Sequence, residues 1–502
     1  MTVINYLESS AERLPDKIAL TDAEKSITYS ELLSVTKRIA SALLRRFSGF
    51  NHPVAVMVDR NIESVCAFLS IAMSRNFYVP VDVGQPVQRV RAILDQMRPV
   101  AIVTFTPMAE ELSDISIPII DYHSLTTEEA DEKLLHSARS KATDDDPLFA
   151  ICTSGSTGVP KGVVKSHRSV LTFIPVFADT FGFTEDERFG NQAPFDFDVS
   201  AIDIYSTLYL GASMYVIPRV DFVMPKKLVE DLDERHITTL VWSVSALCVA
   251  AGFNAFKHRV PGAIKRVLFS GEVMPVKMLN IWRSYFPDTM FVNLYGPTEV
   301  TGNSLYYIVD REFENNENLP LGIPFRNGEV FFLGEDNRPI RAGESGEICI
   351  KSASLALGYY GDLEKTEASL VQNPLNDCYP ERIYRTGDLA ELREDGNYYF
   401  IGRKDFQIKH MGHRIEMEEI ETYLNAVDGV TRACCLFDSG RNKIVAFYCG
   451  DTEKDKVISE LKRFVPKYMI PSIMIKTNEI PLNKNGKMDR RAIRERYLEG
   501  SL

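Results

Sequence analysis

The sequence contains no unbroken apolar run of the roughly 18 residues that a membrane span requires. Its opening residues, Met-Thr-Val-Ile-Asn-Tyr-Leu-Glu, lack the basic and apolar regions of a signal peptide. An excess of basic residues is also missing, since the net charge is −12, and this argues against nonspecific binding to nucleic acid or anionic lipid. We therefore expect a cytoplasmic protein without membrane insertion whose partners are small molecules or proteins.

Paired cysteines are absent too. The eight cysteines include no Cys-x-x-Cys pair, and the adjacent Cys434 and Cys435 neither bridge easily nor give a zinc-binding spacing. We expect reduced, mostly buried thiols.

No repeat or heptad suggests assembly, so we expect a monomer. A length of 502 residues predicts about three domains or subdomains.

The first part of the chain alternates helix and strand. Thr28 to Glu31 is typical of a capping box that opens a helix. Apolar runs predict a strand over Val54 to Val58, a helix over Ile62 to Ala72 and a strand over Phe77 to Val83. This βαβ order predicts a parallel, layered sheet.

Three further regions follow. A second alternating unit runs from His167 to Val309, and short apolar runs between Pro320 and Tyr399 predict a mainly β subdomain. Residues 406 to 502 are sufficient for a small α+β domain. Its predicted elements are a helix over Glu416 to Asn425, strands over Ala433 to Phe437 and Ile444 to Cys449, and a helix over Lys456 to Phe464.

The segment Thr-Ser-Gly-Ser-Thr-Gly-Val-Pro-Lys-Gly, residues 153 to 162, follows the apolar run Leu148 to Cys152. Its glycines allow backbone amides to approach a ligand closely, its hydroxyls add donors and Lys161 adds charge, so it can surround a polyphosphate. A P-loop NTPase would require Gly-Lys-Ser/Thr, whereas Lys161 is followed by Gly162. That class is disfavoured.

This segment resembles the phosphate loop of the adenylate-forming superfamily, which includes acyl-CoA synthetases, luciferases and the adenylation domains of peptide synthetases. The segment Gly-Arg-Lys-Asp-Phe-Gln-Ile-Lys from Gly402 resembles the one about which the small domain of these enzymes swings. The resemblance implies an acyl-CoA synthetase-like α/β fold, with a large core domain over 1–404, a mobile α+β domain over 405–502, and Asp405 as the hinge.

The resemblance also implies roles in ATP and Mg²⁺ binding. The chain from Asn293 to Glu299 offers an aromatic face for adenine, a hydroxyl and a carboxylate. By this resemblance Thr298 holds the α-phosphate, Glu299 binds Mg²⁺, Asp388 binds the ribose and Lys487 is the catalytic lysine. The other implied ATP contacts are Thr153, Ser154, Gly155, Ser156, Thr157, Gly158, Lys161, Gly271, Glu272, Asn293, Tyr295, Gly296 and Arg403.

The segment from Asn191 to Tyr205 resembles the acyl-pocket helix of amino-acid-activating members. In these enzymes an aspartate at the position of Asp198 binds the substrate ammonium. Asp196 and Asp203 are equally acidic, so the choice of Asp198 depends on the resemblance. The remaining implied pocket positions are Val199, Ile202, Trp242 or Val241, Leu268, Ser270, Leu294, Gly302 and Asn303. This set favours a small amino acid.

Within the superfamily the sequence resembles stand-alone D-alanine–carrier-protein ligases or a free-standing adenylation domain of a nonribosomal peptide synthetase, although the D-alanine ligases usually have a cysteine where Ser270 stands. L-Alanine, glycine and serine remain open as substrates. Since no carrier domain follows Lys487, we expect a separate acyl or peptidyl carrier protein. Its phosphopantetheine thiol would accept the aminoacyl group after the small domain rotates and presents Lys409 and Gly412.

Two other classes remain as alternatives. An acyl- or aryl-CoA ligase would share the loop and the lysine but would have an uncharged residue in place of Asp198. A noncatalytic nucleotide-binding protein would tolerate loss of Lys487, Glu299 or Asp388, all of which are present.

Overall fold

A computed structural model describes residues 1–108, 110–112, 114–155, 158–481 and 488–500. No helix within these ranges combines the length and the apolar character needed to cross a bilayer. The α-helices in chain order are α1 (Ile4–Arg13), α2 (Tyr29–Arg46), α3 (Ile62–Met73), α4 (Val87–Met97), α5 (Tyr122–Thr126), α6 (Glu132–Arg139), α7 (His167–Phe181), α8 (Val199–Leu210), α9 (Pro225–Glu234), α10 (Val244–Gly252), α11 (Val276–Tyr285), α12 (Leu363–Ser369), α13 (Met417–Asn425), α14 (Lys454–Leu461) and α15 (Arg490–Leu498).

The strands in chain order are β1 (Ile18–Thr21), β2 (Ser26–Thr28), β3 (Pro53–Val58), β4 (Phe77–Asp82), β5 (Ala101–Thr104), β6 (Ile119–Asp121), β7 (Pro147–Thr153), β8 (Lys161–Ser166), β9 (Arg188–Asn191), β10 (Ser213–Val216), β11 (Thr239–Ser243), β12 (Arg266–Ser270), β13 (Met290–Tyr295), β14 (Leu305–Ile308), β15 (Ile323–Pro324), β16 (Gly328–Leu333), β17 (Ser345–Ser352), β18 (Gly358–Tyr359), β19 (Leu370–Gln372), β20 (Arg382–Leu392), β21 (Tyr398–Arg403), β22 (Ile408–His410), β23 (His413–Ile415), β24 (Val430–Asp438), β25 (Lys443–Gly450) and β26 (Ile473–Lys476).

Two large mixed sheets form the amino-terminal part. One has the strand order β15-β14-β13-β12-β11-β9-β10-β1-β2, and the other has the order β18-β8-β7-β4-β3-β5-β6. Helices α1, α2, α3, α7 and α8 contribute to one core between these sheets. The predicted layered α/β arrangement is confirmed.

The capping box predicted at Thr28 is present. The Thr28 hydroxyl accepts a hydrogen bond from the Glu31 amide, and the Glu31 carboxylate accepts one from the Thr28 amide. Helix α2 therefore begins with two of its otherwise unpaired donors satisfied.

Two smaller units follow. Strands β16, β17, β20, β19 and β21 form an antiparallel sheet, as the apolar runs after Pro320 predict. Beyond it, β24, β25 and β26 form a three-stranded sheet against α13 and α14. Its apolar side chains, among them Ile420, Leu424 and Val457, form a core of their own.

The site lies where strand ends converge. Strands β11, β12 and β13 are parallel neighbours, so their carboxyl ends share one edge of the sheet. The loop after β7 and the β22–β23 hairpin reach the same edge, as the contacts below show. Ligands of α/β sheets bind at such edges.

Candidate functional site

The glycine-rich loop between β7 and β8 contacts the carboxy-terminal part of the chain. The Ser154 hydroxyl donates to the Arg414 carbonyl at 2.8 Å and accepts from the Glu416 amide at 3.2 Å. The Gly158 carbonyl accepts from the Tyr423 hydroxyl at 2.9 Å. Strand β23 and helix α13 therefore lie directly against the predicted phosphate loop.

The other predicted ATP contacts in this loop differ in their surroundings. The Thr153 hydroxyl is buried and lacks a partner among the described residues, and the Gly155 carbonyl accepts from the Gly158 amide at 2.9 Å. Gly158 has a φ of +81°, a conformation that favours glycine. Ser156 and Thr157, predicted ATP contacts, lie outside the described residues.

Lys161 begins β8 and points into the site. Its Nζ lies 3.3 Å from Glu416 Oε1 and 5.7 Å from the centre of the Tyr359 ring. Burial, aided by the nearby Arg414 cation, lowers the pKa of Lys161 to about 8. A polyanion bound here would restore the charged form.

Glu299 is a buried carboxylate paired with an arginine and a tyrosine. Arg414 Nη1 lies 2.9 Å and 2.8 Å from its two oxygens, and the Tyr359 hydroxyl donates to it at 2.7 Å. Burial alone would raise the pKa of Glu299, but Arg414 and Lys161 outweigh burial and hold this pKa at about 2. Thr298, next to it, is half-buried in the turn after β13.

Tyr295 and Asp388 meet at the predicted nucleoside end. The Tyr295 hydroxyl donates to Asp388 Oδ2 at 2.6 Å, and Arg403 forms an ion pair with Oδ1. Arg403 also pairs with Asp405 through its Nε at 2.6 Å. The structure thus brings the predicted ribose ligand, its neighbouring arginine and the predicted hinge residue together.

The predicted adenine slot lies beside this group. Gly271 has a φ of +99°, and the following Glu272 accepts from the Ser245 hydroxyl at 2.6 Å and from the Gly412 amide. Lys409 Nζ lies 5.5 Å from the centre of the Tyr295 ring. A cavity of about 1070 Å³ opens here, and its lining includes Gly271, Glu272, Asn293, Tyr295, Asp388, Arg403, Asp405 and Lys409.

Asn293 and Gly296 contact neighbouring backbone segments of the site. The Asn293 amide donates to the Pro320 carbonyl at 2.8 Å. A Cβ on Gly296 would stand 2.6 Å from the Gly302 carbonyl, so only glycine lets these two turns approach.

Asp198 immediately precedes α8 at the predicted acyl end. No side chain among the described residues pairs with its carboxylate. Burial raises its pKa, while the cations of Lys165 and Lys409 oppose that rise. The two other acids of the segment are bonded: Asp196 accepts from Gln85 at 3.0 Å and Asp203 accepts from Asn191 at 2.8 Å.

Most of the side chains predicted to surround the substrate are buried or half-buried. Ile202, Leu268 and Leu294 belong to one buried cluster, to which the half-buried Val199 also packs. Ser270 and Asn303 are buried. Gly302 lies against the Phe173 ring, which a Cβ would strike at 2.2 Å.

Trp242 does not join this group, and its prediction as a pocket residue is corrected. Its ring packs against Phe222 and Trp282 in a second core, and its Nε1 donates to the Gly190 carbonyl at 2.7 Å. Val241, the alternative position, lies in the same cluster as Leu268 and Leu294. The reason is strand alternation, since neighbours on β11 face opposite sides of the sheet.

Sequence reasoning missed several residues of the site. Arg414 and Tyr359 both bind Glu299, and Arg89 forms a buried ion pair with Glu419. Lys165 directly follows the apolar pair Val163 and Val164 in β8, and a second lysine in this short strand was a signal that could have been noticed.

Comparisons with known proteins agree with this geometry. A family profile described as AMP-binding enzyme matches residues 7–360. The chain is 30% identical over 503 residues to zwittermicin A synthase ZmaJ of Bacillus cereus, covering 97% of this chain and 93% of that protein. It is 29% identical over 508 residues to tyrocidine synthase 1 of Brevibacillus parabrevis, covering 98% of this chain but 45% of that protein. The chain thus spans less than half of this second relative.

Solved structures share the fold. An NRPS protein containing adenylation and PCP domains, PA1221, superposes with a TM-score of 0.85 at 24% identity, covering 99% of this chain and 84% of that one. The o-succinylbenzoate CoA synthetase MenE of Bacillus subtilis also gives 0.85, at 20% identity, covering 98% of each chain.

Proposed function

The chain belongs to the family of AMP-binding, adenylate-forming enzymes, and from that premise we propose that it activates a small amino acid as aminoacyl-AMP and then loads a separate carrier protein. The observation that carries the proposal is the Asp198 carboxylate at the acyl end of the cleft, which is half-buried, accepts a hydrogen bond from the backbone of Val199 and has no side-chain partner among the described residues. A substrate ammonium is its natural partner, because an ion pair is far stronger in a dry site than in water. The loading step is supported by the likeness to proteins described as containing adenylation and PCP domains.

In the first step the substrate carboxylate attacks the α-phosphorus of ATP and pyrophosphate leaves. Tyr295 stacks on adenine, Asp388 accepts the ribose hydroxyls, and Lys161 and the loop amides hold the phosphates. Lys487, which lies outside the described residues, offsets charge on the equatorial oxygens in the transition state.

Glu299 supplies the carboxylate that, with phosphate oxygens, would hold Mg²⁺. One carboxylate is sufficient for this ion when phosphates complete its coordination. Here Arg414 occupies both carboxylate oxygens. Glu299 would thus be shared between Arg414 and Mg²⁺, and the ion pair with Arg414 would compete with metal binding.

In the second step a phosphopantetheine thiol loses its proton and attacks the aminoacyl carbonyl, and AMP leaves. The arrangement in the structure supports assigning Lys409 and Gly412 to this step, because their hairpin covers the nucleoside end of the cleft. Asp405 is the hinge for the rotation between the two arrangements.

The direct test of the proposed function is ATP–pyrophosphate exchange with amino acids of both hands and with fatty and aromatic acids. In Asp198→Asn we expect kcat/KM for the amino acid to fall about ten- to a hundredfold, corresponding to about 1.5–3 kcal/mol for a lost charged hydrogen bond. The Kd for ATP should be unchanged. Asp288→Asn, at an exposed position, is the control. Exchange supported only by acids without an amino group would overturn the proposal.

Gly412 tests the second step separately. Its φ of +80° costs an alanine about 1–2 kcal/mol, so Gly412→Ala should slow carrier loading roughly tenfold. Pyrophosphate exchange should remain near the wild-type rate. Gly396→Ala is a matched control, because Gly396 has a φ of +79° with nothing within 4 Å of its Cβ position. If carrier loading fell equally in Gly412→Ala and Gly396→Ala, the assignment of Gly412 to the second step would be wrong.

A further inference from the structure

Lys165 is a buried lysine that the proposed mechanism does not use. It is fully buried, and its Nζ has no hydrogen-bond or ion-pair partner among the described residues. A buried charge without a partner is costly, so such groups are rare unless they serve a ligand.

The position of Lys165 on β8 directs it toward the cleft. Side chains on a strand alternate, so Lys165 shares a face with Lys161 and Val163. Lys161 reaches Glu416 across the phosphate region, and Val163 packs on Tyr359. The charged groups acting on Lys165 are Asp198 and Glu299.

The charges of Lys165 and Asp198 do not neutralise each other through a direct ion pair. Both groups are desolvated, yet neither forms an ion pair with the other. When a substrate ammonium binds Asp198, Lys165 loses the opposing charge that offsets its burial, unless the substrate also brings an anionic group besides the carboxylate that attacks ATP.

Other polar groups around the substrate are suited to such an anion. The side chains of Asn303 and Ser270, two of the pocket positions that the resemblance implies, are both buried. An amide and a hydroxyl can both donate to a carboxylate. Because Trp242 lies in the second core, its indole does not fill the substrate pocket, which is therefore larger than the sequence analysis implied.

We propose that Lys165 determines specificity by binding a carboxylate on the side chain of the substrate, so that the enzyme activates a short acidic amino acid. Asp198 holds the ammonium, Lys165 holds the side-chain carboxylate, and the remaining carboxylate attacks ATP. This inference rests on the proposed function and refines its substrate class.

The test compares aspartate with asparagine, which have nearly the same shape, and with alanine, in both hands, by ATP–pyrophosphate exchange. For the wild type we expect kcat/KM to be at least tenfold higher for aspartate than for asparagine. Lys165→Met should lose at least thirtyfold toward aspartate while keeping or gaining activity toward asparagine. Lys226→Met, a change of an exposed lysine, should behave as wild type.

The pH dependence of the wild-type enzyme provides a second test, which does not require any variant to fold. Burial lowers the pKa of Lys165 to about 8, against the opposing carboxylates of Asp198 and Glu299. Above that pH the free enzyme loses the cation, so the wild-type preference for aspartate over asparagine should decline as pH rises from 7 to 9. A preference that stays constant would contradict the role of Lys165.

The outcomes separate the two proposals. Exchange with alanine or asparagine equal to or better than with aspartate overturns the inference and leaves amino-acid activation intact. Exchange with acyl or aryl acids alone overturns both. Retention of the aspartate preference in Lys165→Met, with normal ATP binding, also overturns the inference.

Discussion

Replacement of Lys487 by alanine is expected to reduce aminoacyl-AMP formation by about two to three decades, or about 3–4 kcal/mol. Attack of a carboxylate on the α-phosphorus brings two anions together, and further charge gathers on the equatorial oxygens in the transition state. A preorganised cation acts mainly on that state, so ATP binding should remain measurable. Pyrophosphate exchange reports the rate, and equilibrium binding of ATP reports the ground state.

Two controls sharpen this experiment. Lys484→Ala removes a lysine from the same segment and should leave exchange near the wild-type rate. Transfer from preformed aminoacyl-AMP to a carrier should also survive in Lys487→Ala, because the lysine acts in the first step alone. Unchanged exchange in Lys487→Ala would refute the assignment.

Local features of the fold were predictable because they depend on neighbours in sequence. The capping box at Thr28 needs only Glu31 three residues later, and the apolar run from Leu148 to Cys152 lies within β7. Boundaries moved by one to three residues where apolar periodicity gives no stop signal, as at Met73, the last residue of α3. Helix α14 ends at Leu461 rather than Phe464.

The position of Trp242 shows where sequence reasoning fails. Its indole and the Val241 side chain are adjacent in sequence and both apolar, so composition cannot tell which of them faces the substrate. Pairing of β11 with β12 fixes that choice, because Val241 stands opposite Leu268 in the register. A one-residue shift would reverse the two faces.

Contacts between the two ends of the chain were not predictable in principle. Arg414 meets Glu299 across 115 positions, and Arg89 meets Glu419 across 330. Neither partner is marked by a local pattern, since each pair joins residues that only the folded chain brings together. The same contacts provide a means of testing whether carrier loading needs the docked arrangement of the carboxy-terminal unit.

Arg89→Met should slow carrier loading by about two to three decades and leave pyrophosphate exchange near the wild-type rate. Arg89 on α4 and Glu419 on α13 form an ion pair in which the side chains are 5% and 0% exposed. Removal of one partner leaves a buried charge alone, which costs about 3–5 kcal/mol. If the small domain undocks for adenylation, as we propose, Glu419 then reaches water and the cost applies to loading alone.

The decisive control is the double variant Arg89→Met/Glu419→Leu, in which both charges are replaced by apolar groups. Such replacements are often neutral or stabilising, so loading should recover although a second residue has been changed.

Burial, opposed by Arg89, already raises the pKa of Glu419 to about 7. Without Arg89 this pKa rises further, and because the docked form then binds the proton more tightly, loading by Arg89→Met should recover as pH falls. Loss of exchange together with loading in Arg89→Met, or no recovery in the double variant, would show that the pair supports the fold as a whole and not the docked arrangement.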